Sequence, residues 1–154
     1  MTEGAELPMA LRAAYMGLHR RTDARFAMFG VTADQFVLLA TLERTGAITQ
    51  RELARRMPSD PSTVRAMLVL LEKQGLVERE THPTDARALH VKLTTAGRRK
   101  FRQLWKAGEQ IRQDMMSAIP AGEREIVIKN LERLGALAAL DNLPVKSLNS
   151  NDKN

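Results

Sequence analysis

Cysteine is absent from this 154-residue chain, which excludes disulfides, thiolate metal sites and a cysteine redox switch. Histidine is scarce, and His19, His82 and His90 form no HxxxH or HxxE pair, so no metal is expected. Aromatic residues make up only 4%. No apolar run approaches the ~18–20 residues that span a bilayer. The first residues lack the charged-then-apolar layout of a signal peptide, so the expectation is a cytoplasmic protein with no membrane partner. Also missing are a glycine-rich phosphate loop, a nucleophile elbow and a spaced carboxylate pair in an evident cleft. An enzyme is therefore not expected, and no cofactor is implied.

What is present is charge and helix-forming residues. Forty-four per cent of the chain is apolar, and Leu, Ala, Met, Arg and Glu dominate. The formal net charge is +6. Between Arg51 and Arg102 there are twelve basic and six acidic residues, so the whole surplus lies in one contiguous third. A focused positive charge fits a polyanionic partner, although a solvated face would read the same.

Helical spacing of Leu11, Tyr15, Leu18, Phe26 and Phe29 predicts a helix over 7–29, stopped by Gly30. Thr32 and Gln35 predict a capping box for the next helix, with Phe36, Leu39, Ala40 and Leu42 on its buried side and Gly46 at its end. Thr49 and Glu52 predict a second box, on a helix of about two turns with Leu53 and Met57 turned inward. Asp60 before Pro61 predicts the start of a third helix, which runs to Gln74 and closes at Gly75.

"LVERETH" and "ALHVKLT" follow as strands around the turn "PTDAR", with Leu89, Val91 and Leu93 on the buried side. A long helix opens at Thr94 or Thr95 and carries Phe101, Leu104, Trp105, Gly108, Ile111, Met115 and Ile119. Pro120 and Gly122 break it, and a final helix carries Ile126, Val127, Leu131, Leu134 and Leu137. The fold class is mainly α: a winged helix-turn-helix with a small hairpin wing and flanking helices. The flanking apolar stripes exceed what a small central domain covers, so they are expected to pair with each other and with a second subunit.

On a helical wheel Val64, Met67, Leu68 and Leu71 share one side of the third helix. Ser62, Arg65, Ala66, Val69 and Lys73 lie on the other, which would enter a major groove. Arg65 is the leading candidate for a base contact, by its bidentate fork. Ser62 and Thr63 suit either phosphate or ordinary helix-start chemistry. Val69 is apolar where the groove side should be polar; it either meets a thymine methyl or marks a phase error of one position. Leu70, on the flank, is placed to pack against the hairpin. At the hairpin tip Arg87 suits the narrow minor groove, and Asp85 suits holding the loop in shape; a plain surface turn is the alternative.

Asp85-Ala86-Arg87, followed after five residues by Leu93-Thr94 and then Gly97, resembles the wing signature of MarR-type bacterial regulators. "STVRAMLVLLEKQGLVERE" is similar to their recognition helix and following strand, and "VTADQFVLLATL" to the helix before it. The resemblance spans about Val31 to Gly97. It implies a homodimeric regulator, each subunit reading half of a pseudo-palindromic stretch of double-stranded DNA. Residues 1–30 and 98–140 would be dimerisation helices, 31–97 the DNA-binding domain and 141–154 a disordered tail.

The candidate DNA contacts are Thr49, Gln50, Ser59, Pro61, Ser62, Thr63, Arg65, Ala66, Val69, Lys73, Asp85 and Arg87. Family members usually carry a hydroxyl and then a basic residue where this chain has Arg65 and Ala66, and polar residues where it has Val69 and Leu70. The resemblance further implies release of DNA by a small aromatic effector, such as an aromatic acid, a phenol or a coenzyme A thioester. Tyr15, His19, Phe36 and Trp105 would line its site, with Arg12 or Arg20 as carboxylate partners. The absence of cysteine excludes the thiol-oxidation branch of the family. A winged-helix module that binds another protein, or a DNA-binding protein without an effector, are the alternatives.

Overall fold

A computed structural model describes residues 4–81, 84 and 88–140. Its elements are α1 (Glu6–Phe26), α2 (Ala33–Thr45), β1 (Ile48–Thr49), α3 (Gln50–Arg56), α4 (Pro61–Lys73), β2 (Val77–Thr81), β3 (Leu89–Leu93), α5 (Thr95–Ala107), α6 (Glu109–Ala118) and α7 (Arg124–Leu140). The three strands form one antiparallel sheet in the order β1-β3-β2. Two compact units are distinguished, the first ending at Ile111 and the second beginning at Arg112.

The helix starts follow from side-chain chemistry. Thr32 Oγ1 accepts from the Gln35 N–H while Gln35 Oε1 accepts from the Thr32 N–H, both at 3.1 Å, completing the predicted box. The second box forms by half. Thr49 Oγ1 accepts from the Glu52 N–H at 3.1 Å, but the Glu52 carboxylate turns to Arg55 and Arg56 at 3.1 and 3.0 Å. Charge-assisted partners outcompete a neutral N–H.

α1 ends earlier than the spacing predicts, because Ala27–Phe29 tightens into a 3-10 turn before Gly30. The predicted long helix after the wing is interrupted at Gly108, whose φ of −86° and ψ of 2° leave helical geometry. A glycine costs ~1 kcal/mol in a helix interior, so this is where the helix yields.

The core of the first unit joins Leu38, Leu39, Leu42, Leu53, Leu68, Leu71, Val91 and Leu104, all essentially inaccessible. Burying each is worth about 1.5–3 kcal/mol. α2 packs against α1, α3, α5 and β3, so it forms the centre of the unit. β3 buries Val91 and Leu93, whereas Leu89 is exposed, contrary to the alternation. It pairs with Thr81 at the far end of β2, away from the core-facing Val77–Leu93 end. β1 was not foreseen: two residues are too few to show a period, and they pair Ile48 with Val91 and Thr49 with His90.

Candidate nucleic-acid interface

α4 is built to present one side outward. Val64, Met67, Leu68 and Leu71 are buried, while Pro61, Ser62, Thr63, Arg65, Ala66, Val69 and Lys73 are exposed. The predicted phase is therefore right and Val69, at 37% exposure, truly faces outward. Leu70 is 49% exposed, so it is not covered by the hairpin as expected. Arg65 and Lys73 have no hydrogen bond or ion pair among the described residues, leaving both cations available.

The start of α4 is closed on itself. Asp60 accepts from the Thr63 N–H at 3.0 Å and the Thr63 hydroxyl at 2.7 Å, and from the Ser62 hydroxyl. The Ser62 hydroxyl, the Thr63 hydroxyl and then the Thr63 N–H hold the Asp60 carboxyl well below the usual carboxylate range. Both hydroxyls proposed for phosphate are thus turned onto Asp60, so they face a phosphate as acceptors unless they rotate.

α4 leads to β2 through Gly75, whose φ of +72° favours glycine. There Arg79 donates to both carboxylate oxygens of Glu72 at 3.0 and 2.9 Å, and to Gln50 Oε1 at 3.5 Å. Gln50 and Thr49, both half-buried, thus serve the scaffold: Gln50 joins this clamp, and Thr49 caps α3. Ser59 is half-buried in the turn before α4.

The clamp between α3, α4 and β2 was missed from sequence. Its signal was strand alternation, which puts Arg79 on the same side as buried Val77. On β3, Lys92 pairs with Glu80 and Glu78 at 2.6 and 3.5 Å, which raises its pKa, chiefly through Glu80. Asp85 and Arg87 lie outside the described residues, as does the tail predicted from Asp141.

At the joint between wing and α5, Thr94 Oγ1 accepts from the Gly97 N–H at 3.0 Å and its hydroxyl donates to the Gly75 carbonyl. The Thr94 N–H donates to the Leu76 carbonyl at 3.1 Å. Any β-carbon on Gly97 would collide with that same oxygen.

The proposed effector residues divide. Phe36 stacks on Phe101 at 5.7 Å and contacts Phe26 at 5.0 Å, and Phe101 contacts half-exposed Trp105 at 6.1 Å. Tyr15 faces His19 at 5.6 Å. His19 lies between two carboxylates, with Nε2 3.1 Å from Asp23 and Nδ1 4.0 Å from Asp34. Asp23 also accepts from the Ala33 N–H at 2.6 Å, fastening α1 to the start of α2. Arg12 and Arg20 are exposed and make no hydrogen bond, ion pair or ring contact among the described residues. No cluster of His, Asp or Glu that would hold a metal occurs among the described residues, and no single described helix is long and apolar enough to cross a membrane.

The MarR family model matches residues 31–89, from two residues before α2 to the first residue of β3. An uncharacterized HTH-type transcriptional regulator of Mycobacterium leprae is 32% identical over 112 residues, covering 73% of this chain and 76% of its own. The chain belongs to the MarR family. Among solved structures, a mutant MarR from E. coli complexed with operator DNA is similar, with a TM-score of 0.77 and 26% identity over 84% of this chain and 94% of that one. BpsR of Bordetella bronchiseptica, whose DNA binding is regulated by 6-hydroxynicotinic acid, gives 0.78 and 25% over 88% and 96%. Membership fixes the winged helix-turn-helix fold.

Proposed function

We propose that the chain acts as a homodimeric transcriptional repressor that binds a pseudo-palindromic operator and is released by a small aromatic effector. The observation that carries the reading is the outward side of α4. An exposed Arg65 and Lys73, unpaired among the described residues, stand on a helix anchored by four buried apolar residues. The operator-bound MarR relative supports placing that side in a major groove.

Dimerisation through residues 1–30 and 98–140 is supported by unspent apolar surface. On α1, Leu7 and Leu11, one turn apart, are 56% and 40% exposed; on α7, Ile128 and Leu131, one turn apart, are 51% and 47% exposed. Such stripes belong at subunit interfaces. Two heads would then present their recognition helices to successive grooves, with Arg87 of each wing contributing a minor-groove contact.

The effector reading draws on BpsR and on the ring series Phe26, Phe36, Phe101 and Trp105. Asp23 and Asp34 beside His19 repel a carboxylate, so an acidic effector needs Arg12 or Arg20 to turn inward, whereas a phenol does not. A differential affinity of ~1–3 kcal/mol between two dimer geometries would lower DNA affinity about 5–150-fold.

Selection of bound duplexes from a random pool, followed by a screen for compounds that release them, tests the proposal. The expected binding has a log–log salt slope of roughly −0.9 per neutralised phosphate. Equal retention of all duplexes, or a stable monomer in sedimentation, overturns it.

A further inference from the structure

The line of α4 most directly opposed to the core runs Ser62, Ala66, Val69, Lys73, at steps of four, three and four residues. Its ends are polar and its middle is not. Ala66 and Val69 are exposed and carry no hydrogen-bonding group, while Ser62 is turned onto Asp60 and Lys73 closes the far end as a cation. In a solvated stripe a β-branched apolar residue gains nothing from facing water.

Resting on the DNA reading above, we propose that Ala66 and Val69 read thymine C5-methyl groups. Each half-site would then hold methyl-bearing pyrimidines beside a guanine bound by Arg65. The chemistry leaves one partner for such a pair. On the major-groove floor the thymine methyl is the one apolar group that projects from the base edges, where cytosine offers only a C5–H. Phosphates line the groove walls and attract cations, and the cations here, Arg65 and Lys73, stand beside and beyond the apolar pair rather than between its members. Arg65 precedes Ala66 and lies one turn before Val69, within reach of a neighbouring base pair.

The test uses the full-length protein and the duplex obtained by selection, resynthesised with deoxyuridine for thymidine at one position at a time. Uracil keeps every hydrogen-bonding group and deletes only the methyl. At one or two positions per half-site the substitution is expected to weaken binding about fourfold, the worth of one buried methyl. The Val69→Ser protein should no longer distinguish thymine from uracil at the Val69 position, whereas Val69→Thr, which keeps a methyl, should still do so. Because Val69 is exposed, both variants should melt as the parent does.

Unchanged affinity on uracil at every position, with the duplex still preferred over random sequence, overturns the methyl reading and leaves the DNA reading standing. A thymine preference that survives Val69→Ser and Ala66→Ser shows that another residue reads the methyl, and overturns the assignment. If no duplex is preferred at all, the DNA reading fails and this inference with it.

Discussion

Arg79 of β2 grips Glu72 of α4 with two hydrogen bonds, from Nε at 3.0 Å and from Nη2 at 2.9 Å. The fork closes between β2 and α4, and its remaining Nη1 reaches Gln50 on α3. Bidentate geometry fixes orientation as well as distance. Its contribution to folding is small because Glu72 is solvated. We expect Arg79→Ala to leave the melting temperature nearly unchanged yet weaken operator binding, because α4 is no longer held in one attitude. Arg79→Lys should restore binding only in part, since an ammonium cannot make the fork. Equal binding by all three proteins would show that the clamp has no bearing on DNA.

Gly97→Ala should destabilise the fold. The added methyl meets the Leu76 carbonyl, a backbone atom that also accepts from Thr94 and cannot retreat alone. Overpacking of this kind costs about 1–3 kcal/mol. Urea denaturation measures it, and a loss below the scatter of the measurement would disprove the close approach.

Arg65→Ala should cost ~1–3 kcal/mol in operator affinity and relax preference at one base pair. Arg87→Ala should instead weaken binding across sequences and reduce the salt slope by about one phosphate's share. Titration of both variants against selected and random duplexes separates the two roles.

Asp60 gives the start of α4 a pH dependence. Its carboxyl is held below its ordinary value of 3.8 by the Ser62 and Thr63 hydroxyls and the Thr63 N–H. A depressed folded-state pKa means that the stabilisation is fully present above the unfolded value and is lost as pH falls below it. Asp60→Asn keeps an acceptor for the Thr63 N–H but does not titrate. Between pH 5 and 3 the parent should therefore lose stability faster than Asp60→Asn, with parallel curves at neutral pH.

Leu131→Glu on α7 should convert dimer to monomer without loss of helicity. Each subunit of a two-fold dimer loses an apolar anchor worth about 1.5–3 kcal/mol, which raises the dissociation constant on the order of 10²- to 10⁴-fold. Sedimentation at several concentrations checks this, and an unchanged dimer would place the interface elsewhere.

Much of this arrangement was legible from side-chain spacing. The Val64, Met67, Leu68, Leu71 side came out in the right phase because helical period is a strong signal over thirteen residues. Thr32 and Gln35 marked a start for the same local reason. The two-residue β1 carried no period to read, and Gly108 interrupts an apolar stripe that continues on both sides of it. Glu52 looked like a reciprocal cap until Arg55 and Arg56 came within reach. The Arg79–Glu72 clamp spans a turn, and its partners meet only once β2 has folded back beside α4.

The three-way junction at Thr94, Leu76 and Gly75 sets how this molecule can move. The end of α4, the root of the wing and the first turn of α5 are joined there by the short Thr94 hydroxyl and by backbone atoms rather than by long side chains. A displacement of α5 would therefore pull on the end of α4 and the base of the wing together. A small tilt of α5 near the aromatic rings would thus reach the outward side of α4 through three hydrogen bonds.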